Sequence, residues 1–266
     1  MTLSNLLITD IIAAICYISF IAIFVIIGLR MALKYFEHKR IELISVGLAW
    51  ILVSSTAWDN LYFFIHFVLI GEPPELLFAF LVYTFRIFLP IALFLWIFSV
   101  TKLIPMIRKT KIITLLIHFA FVIVALGFYI FALITLFTDI LDASTESLFI
   151  VVYFSFVTIM GVFFMISILT SGFFIVRNAS KSEDPRLKLE SKFLLSAFII
   201  SSISTIISQI ALASSGEGGV YDQYHLAPSI APIFVLMHIA LFISAILFYL
   251  GFFLSERVYR FLKKTE

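Results

Sequence analysis

The chain has 266 residues, of which 63% are apolar and only 13% are charged. Soluble domains contain about 25% charged residues, and a protein core of this size cannot absorb so much apolar surface, so lipid has to cover it. The net charge is only +2, and the basic residues form no recognisable soluble module, which excludes a nucleic-acid-binding protein. The composition predicts an integral membrane protein whose first partner is the lipid bilayer.

Seven apolar runs of membrane-spanning length follow one another along the chain. The first run has no basic residue before it and exceeds the apolar region of a signal peptide, so we expect it to be retained. Asp184 and Pro185 are typical of a helix N-cap and a first helical position, so the sixth helix should begin before it enters the membrane near Phe193. The predicted fold class is an all-α seven-helix bundle formed by residues 1–254, with spans at about 7–29, 43–70, 76–100, 112–138, 147–176, 193–214 and 229–254.

The basic residues cluster in the segments that follow every second predicted span. Seventeen of the 18 Lys and Arg residues lie in four segments, and the eighteenth is Arg86. Basic loops remain in the cytoplasm, so the N-terminus is predicted outside and the C-terminus inside the cell membrane. The four basic segments are residues 30–42, 101–111, 177–192 and a short amphipathic tail, 255–266.

Asp59 and Arg86 are the two ionised residues placed near the middle of predicted spans. Asp59 lies 12 residues before Gly71, whose type suits a left-handed helix end, and Arg86 lies 11 residues after Glu75. Both therefore lie roughly 17 Å along their helices from the connecting turn. An unpaired charge at that depth costs about 2.5 to 3.5 kcal/mol, so the two are natural partners. They form either a structural ion pair or part of a polar pocket.

Polar side chains on the same helix faces predict a ligand-binding pocket in the outer half of the bundle. The second span repeats polar residues at helical spacing from Ser55 to His66, and Tyr83 and Pro90 share a face with Arg86. Histidines and small polar groups in spans are often packing contacts, and His118 is interpreted in that way. The predicted ligand-binding residues are Asp59, Tyr62, His66, Tyr83, Arg86, Gln209 and His238.

No catalytic or metal-binding pattern is visible in the sequence. It has no zinc-type cluster, no Gly-rich phosphate loop and no nucleophile elbow, so we expect neither an enzyme nor a bound cofactor. Cys16 is the single cysteine, which excludes an intramolecular disulfide. The last span, 229–254, contains no lysine, which excludes attachment of retinal there.

Two stretches resemble the seven-span sensor region of prokaryotic histidine kinases and related stand-alone archaeal proteins. One is Phe85-Arg86-Ile87-Phe88-Leu89-Pro90 and its continuation through Trp96 to Lys102. The other is Asp184-Pro185-Arg186-Leu187-Lys188 with Lys192-Phe193-Leu194-Leu195. The resemblance implies a sensor or receptor-like protein that binds a small ligand, such as a lipid or an amphiphile, in the outer pocket. Because the 266 residues include no output domain, it also implies a separate cytoplasmic partner.

Two other functions are left open. In a carrier for a small solute or proton, Asp59 and Arg86 would alternate between pairing and substrate contact. The lack of an internal repeat and the scarcity of Gly or Pro breaks in matching spans disfavour that alternative. The chain could also be a structural subunit of a membrane complex, and a homo-oligomer remains open as well.

Overall fold

The computed structural model describes residues 8–71, 87–104, 106–137, 143–214 and 231–254. These residues form eight α-helices and one 3-10 helix, with no strand among them, so the all-α prediction is confirmed. The α-helices are α1 (Ile8–His38), α2 (Ile41–Val53), α3 (Trp58–Ile70), α4 (Phe88–Leu103), α5 (Arg108–Phe137), α6 (Ala143–Ala179), α7 (Pro185–Ser214) and α8 (Ala231–Phe253), and the 3-10 helix Ser54–Ala57 joins α2 to α3.

The helices have the length and surface of membrane spans. Five of them (α1, α5, α6, α7 and α8) contain apolar segments long enough to cross a bilayer, and the bent pair α2–α3 makes a sixth if it is taken as one span. Helix α4 has 16 residues and is the described part of the third predicted span. Soluble monomers rarely expose long apolar stripes, so the chain is a multi-pass membrane helical bundle. The exposed stripe of α1 contains Ile11, Ile15, Ile18, Ile26, Leu29, Leu33 and Phe36.

The helices pack as a closed bundle. Going around it, α1 packs on α2, α2 on α4, α4 on α6, α6 on α7, α7 on α8, and α8 returns to α1. Helix α5 packs on α4, and α3 packs on α1. The basic segments 30–42, 101–111 and 177–192 flank the ends of these helices, and we call their side of the bundle the basic end.

An aromatic core fills the bundle on the side of the basic end. Trp50 of α2 lies with its ring centroid 5.5 Å from that of Trp96 and 4.4 Å from that of Phe248. Phe24 packs edge-on against Trp50 at 5.0 Å, and Phe198 lies 4.9 Å from Phe248. These side chains are buried, and they join α1, α2, α4, α7 and α8 in one cluster. We call these five side chains the aromatic core.

Helix boundaries follow local signals in several places. Gly71 ends α3 with φ 82°, the left-handed conformation expected for it, and its N–H donates to the Phe67 carbonyl. Helix α7 starts at Pro185, and the Asp184 carboxylate accepts a hydrogen bond of 2.8 Å from the Arg186 N–H, which confirms the predicted cap. Helix α1 extends beyond the first predicted span, 7–29, through the basic segment to His38.

The second predicted span, 43–70, is not one straight helix. Its two parts, Ile41–Ala57 and Leu61–Ile70, meet at a bend of 43°, and the 3-10 helix Ser54–Ala57 directly precedes that bend. Ser54 Oγ donates to the Ile51 carbonyl at 2.6 Å, and Thr56 Oγ1 donates to the Val53 carbonyl at 2.9 Å. Hydroxyls that bond back to their own helix distort it, so Ser54 and Thr56 favour the 3-10 turn that precedes the bend.

Candidate functional site

The 3-10 helix of the second span forms a polar turn inside the bundle. Ser54 and Ser55 are both 0% exposed, and Ser54 Oγ accepts a hydrogen bond of 3.1 Å from Trp58 Nε1. Ser55 Oγ has no hydrogen-bond partner among the described residues. A buried hydroxyl without a partner is costly, so Ser55 is a candidate for contact with a polar group.

The same turn is linked to the start of α4. The Trp58 ring lies 6.2 Å from the Phe88 ring, between centroids. In the sequence, Trp58 precedes Asp59 and Phe88 follows Arg86 by two residues. The described contact therefore joins the residues that flank the two predicted charges.

Further buried polar side chains lie on the side of the aromatic core away from the basic end. Ser55 lies five residues beyond Trp50, and Ser202 lies four residues beyond Phe198, which corresponds to about 6 to 8 Å along each helix. His238 precedes Phe248 by ten residues, about 15 Å. Ser202 Oγ, like Ser55 Oγ, has no hydrogen-bond partner in the described part of the chain. We call Ser54, Ser55, Ser202 and His238, together with the half-buried Tyr17 that packs against His238, the polar layer.

The three predicted site residues whose side chains are described fall in two places. His238 is 3% exposed and packs edge-on against Tyr17 of α1, with ring centroids 4.5 Å apart. Tyr62 and His66 are half-buried neighbours on α3, with ring centroids 5.8 Å apart. Tyr17 was absent from the prediction, although a tyrosine within the apolar first span is the signal that could have found it.

The other predicted site residues cannot be placed in this geometry. Tyr83 and Arg86 lie outside the described residues. Asp59 and Gln209 lie in α3 and α7, but their side chains are also outside the described part. The predicted ion pair between Asp59 and Arg86 therefore remains a prediction.

A second polar contact joins α5 to α6. His118 Nδ1 lies 2.8 Å from the Thr114 carbonyl oxygen, so Nδ1 carries the proton of the neutral ring, and Nε2 accepts from Ser167 Oγ at 3.1 Å. Both side chains are buried, and the Phe163 ring lies 5.1 Å from the imidazole. This arrangement fits the structural role predicted for His118, because it satisfies both nitrogens between two helices.

Arginine and lysine side chains lie on aromatic rings at the basic end. Arg30 donates from its guanidinium to Tyr249 Oη at 2.6 Å. The Arg30 guanidinium carbon lies 5.5 Å and Lys34 Nζ lies 5.1 Å from the centroid of the Phe253 ring. Arg186 pairs with Glu190 at 3.0 Å and also donates to the Leu254 carbonyl. These contacts tie the basic end of α1 and α7 to the end of α8.

No protein-family model matches the chain, and no curated protein is detectably similar to it. Within the described residues, no three His, Cys, Asp or Glu side chains come together as a possible metal site. The features of this chain that bear on its function are therefore the bundle, the polar layer and the basic end.

Proposed function

We propose that this chain is a receptor-like sensor of the cell membrane that binds a small anionic amphiphile in the polar layer. The observation that supports it most directly is the pair of buried hydroxyls, Ser55 and Ser202, without partners among the described residues. They lie on different helices, α2–α3 and α7, at a similar distance from the aromatic core. A polar ligand group between those helices would satisfy them.

Arg86 and Asp59 supply the charged groups of the proposed site. In it, the anionic group of the ligand pairs with Arg86, and Asp59 holds Arg86 when the site is empty. The contact between Trp58 and Phe88 supports this pairing, since both rings flank the two charges. A charge in a span needs such a partner, and an intramembrane ionisable residue is a functional candidate for that reason.

The bend between α2 and α3 is the element that would move in the proposed sensor. Ligand binding would favour one angle between α2 and α3, and the aromatic core on Trp50 would pass the change toward the basic end. A signal requires that the ligand binds one arrangement more tightly than the other. The basic segments 101–111 and 177–192 would then present the change to a separate cytoplasmic partner.

The same bend also favours the alternative function, a carrier for a small solute or proton. Broken helices at mid-membrane depth are typical of transporters, in which the freed backbone groups contact the substrate. Flux of a radiolabelled solute or of protons in proteoliposomes, abolished by Asp59→Asn, would support the carrier and overturn the receptor.

A binding experiment tests the proposal with a defined probe. The protein is placed in zwitterionic nanodiscs, and decanoate is added while tryptophan fluorescence is recorded, because Trp58 adjoins the site. We expect a saturable change with decanoate, none with uncharged decanol, and at least about tenfold weaker binding in Arg86→Gln, since loss of one charge-assisted contact costs about 1.5 to 3 kcal/mol.

Two variants control for indirect effects. Trp58→Phe should remove most of the optical signal, and Lys111→Gln should bind decanoate as the wild type does, since it removes a charge at the basic end. Equal binding of decanoate by Arg86→Gln and the wild type, or no saturable binding to the wild type, would overturn the proposal.

A further inference from the structure

The face formed by α1 and α8 at the basic end carries two cations in fixed positions. Arg30 and Lys34 are one helical turn apart on α1, and both lie over the Phe253 ring of α8. No carboxylate of the described residues lies within ion-pair distance of either one, because the ion pairs found there are His38–Glu37, Arg40–Glu42 and Arg186–Glu190. Glu190 interacts electrostatically with Lys34, but its carboxylate is already paired with Arg186 at 3.0 Å.

The depth of these cations matches that of phospholipid head groups. The 19 residues from Ile11 to Leu29 contain no charged side chain and span about 29 Å as a helix, close to the hydrocarbon thickness of about 30 Å. Arg30 follows directly at the boundary. Three apolar side chains beside it are exposed: Leu29 by 51%, Leu33 by 60% and Phe36 by 66%. The acyl chain of a phospholipid can therefore lie against α1 while the phosphate of the same lipid reaches the cations.

The aromatic rings hold the cations in place for such a contact. Tyr249 Oη accepts one of the five N–H donors of Arg30, and Phe253 lies beneath both charges. The planar guanidinium group of arginine can donate two hydrogen bonds to phosphate oxygens, and the ammonium group of lysine adds a second positive charge. Because the side chains are already ordered, binding an anion there loses little further conformational freedom.

We propose that Arg30 and Lys34, supported by Tyr249 and Phe253, form a binding site for the phosphate of an anionic phospholipid. The site is separate from the polar layer and does not depend on the function proposed for it. It would anchor α1 to α8 in membranes that contain anionic lipid. A basic site between helices on the cytoplasmic side is the usual form of such recognition.

Native mass spectrometry of the detergent-solubilised protein tests this site. Phosphatidylglycerol and phosphatidylcholine with identical acyl chains are titrated against the wild type, Arg30→Gln/Lys34→Gln and the matched control Arg108→Gln/Lys109→Gln. Each cation should contribute about fivefold in affinity, so the first double variant should bind phosphatidylglycerol about 25-fold more weakly. The control, which also removes one Arg and one Lys at the basic end, should bind it like the wild type.

Two further arms make the result decisive. Lys34→Gln alone, which leaves the Arg30 contact with Tyr249 in place, should bind about fivefold more weakly and guards against misfolding of the double variant. Inorganic phosphate should not compete at equal concentration, because it lacks the acyl chains. Efficient competition by phosphate would make the site one for a free anion, and equal phosphatidylglycerol binding by both double variants would leave only a diffuse basic surface. Either outcome overturns the proposal.

Discussion

Gly28 and Gly47 determine how closely α1 approaches α2. A Cβ atom on Gly28 would lie 2.5 Å from the Gly47 carbonyl oxygen and 2.5 Å from Ile51 Cγ1. A Cβ atom on Gly47 would meet the Gly28 carbonyl oxygen and lie 2.8 Å from Ala32 Cβ. Small residues allow membrane helices to pack backbone against backbone, and here the backbone itself blocks any larger side chain.

We expect Gly47→Ala to lower the free energy of unfolding by about 1 to 3 kcal/mol, because the obstructing atoms belong to the backbone and cannot rotate away. Gly127→Ala is the matched control, since a Cβ atom there meets nothing within 4 Å. Alanine is the better helix former, so the control should be neutral or slightly stabilising. Unfolding in mixed micelles, followed by circular dichroism, measures both. Equal stability of the two variants would contradict the close crossing.

Single residues were predictable where one local rule decides the conformation. Gly71 and the pair Asp184-Pro185 are such cases, because a left-handed helix end and a helix start each need a particular residue type. Lys39 shows the limit, since it takes a left-handed conformation, φ 54°, that glycine would adopt at lower cost. The short connection between α1 and α2 imposes that conformation, and no sequence pattern marks it.

At the scale of helices, α4 and α6 are joined through one buried hydrogen bond. Trp96 Nε1 donates to Ser171 Oγ at 2.8 Å, and Ser171 Oγ donates in turn to the Ile168 carbonyl at 2.8 Å. Trp96 is 6% exposed and Ser171 is 3% exposed. The bond therefore connects α6 to the aromatic core through Trp96.

We expect Ser171→Ala to destabilise the bundle by about 1 to 2 kcal/mol, because it leaves the Trp96 N–H buried without an acceptor. In a Trp96→Phe background the same substitution should cost little, so a double-mutant cycle should show the coupling. Ser204→Ala is the matched control, since buried Ser204 bonds only to the Ile200 carbonyl of its own helix. A cycle with no coupling energy would show that the bond does not stabilise the bundle.

Helix positions were predictable, but the shape of the second span was not. Apolar runs identify the five long spans and the bent pair α2–α3 among the described residues, because each span has to match the bilayer thickness. Ser55 belongs to the polar face predicted from Ser55 to His66, which assumes one continuous helix. Instead, Ser54 and Thr56 bond back to Ile51 and Val53 in a 3-10 turn directly before the bend, and hydropathy does not record such local competition.

For the whole molecule, the distribution of basic residues remains the main argument for orientation. Seventeen of 18 Lys and Arg residues lie in the four basic segments. The structure places 30–42, 101–111 and 177–192 at helix ends, while residues 255–266 lie outside the described part. We therefore expect the basic end to face the cytoplasm.

Cysteine labelling measures this orientation. In a Cys16→Ala background, Asp142→Cys should react with a membrane-impermeant maleimide in intact cells, because its segment is predicted outside. Lys109→Cys should react only after the membrane is made permeable. The opposite pattern would reverse the topology and move the polar layer to the cytoplasmic side.

The candidate site was only partly predictable for a reason that applies to the molecule as a whole. Sequence spacing identifies which residues share a helix face, but it does not tell which faces meet. His238 was predicted as a site residue, whereas its neighbour Tyr17 belongs to a helix more than two hundred positions away in the chain. Such pairs depend on the order of helices around the bundle.

The connection between α1 and α2 consists of Lys39 and Arg40 alone. Two spans joined so tightly, with their glycines already opposite each other, can enter the bilayer together as a hairpin during synthesis. The later helices would then pack on α1 and α2 after these have inserted. A wrong orientation of this first hairpin would therefore change the orientation of every helix that follows.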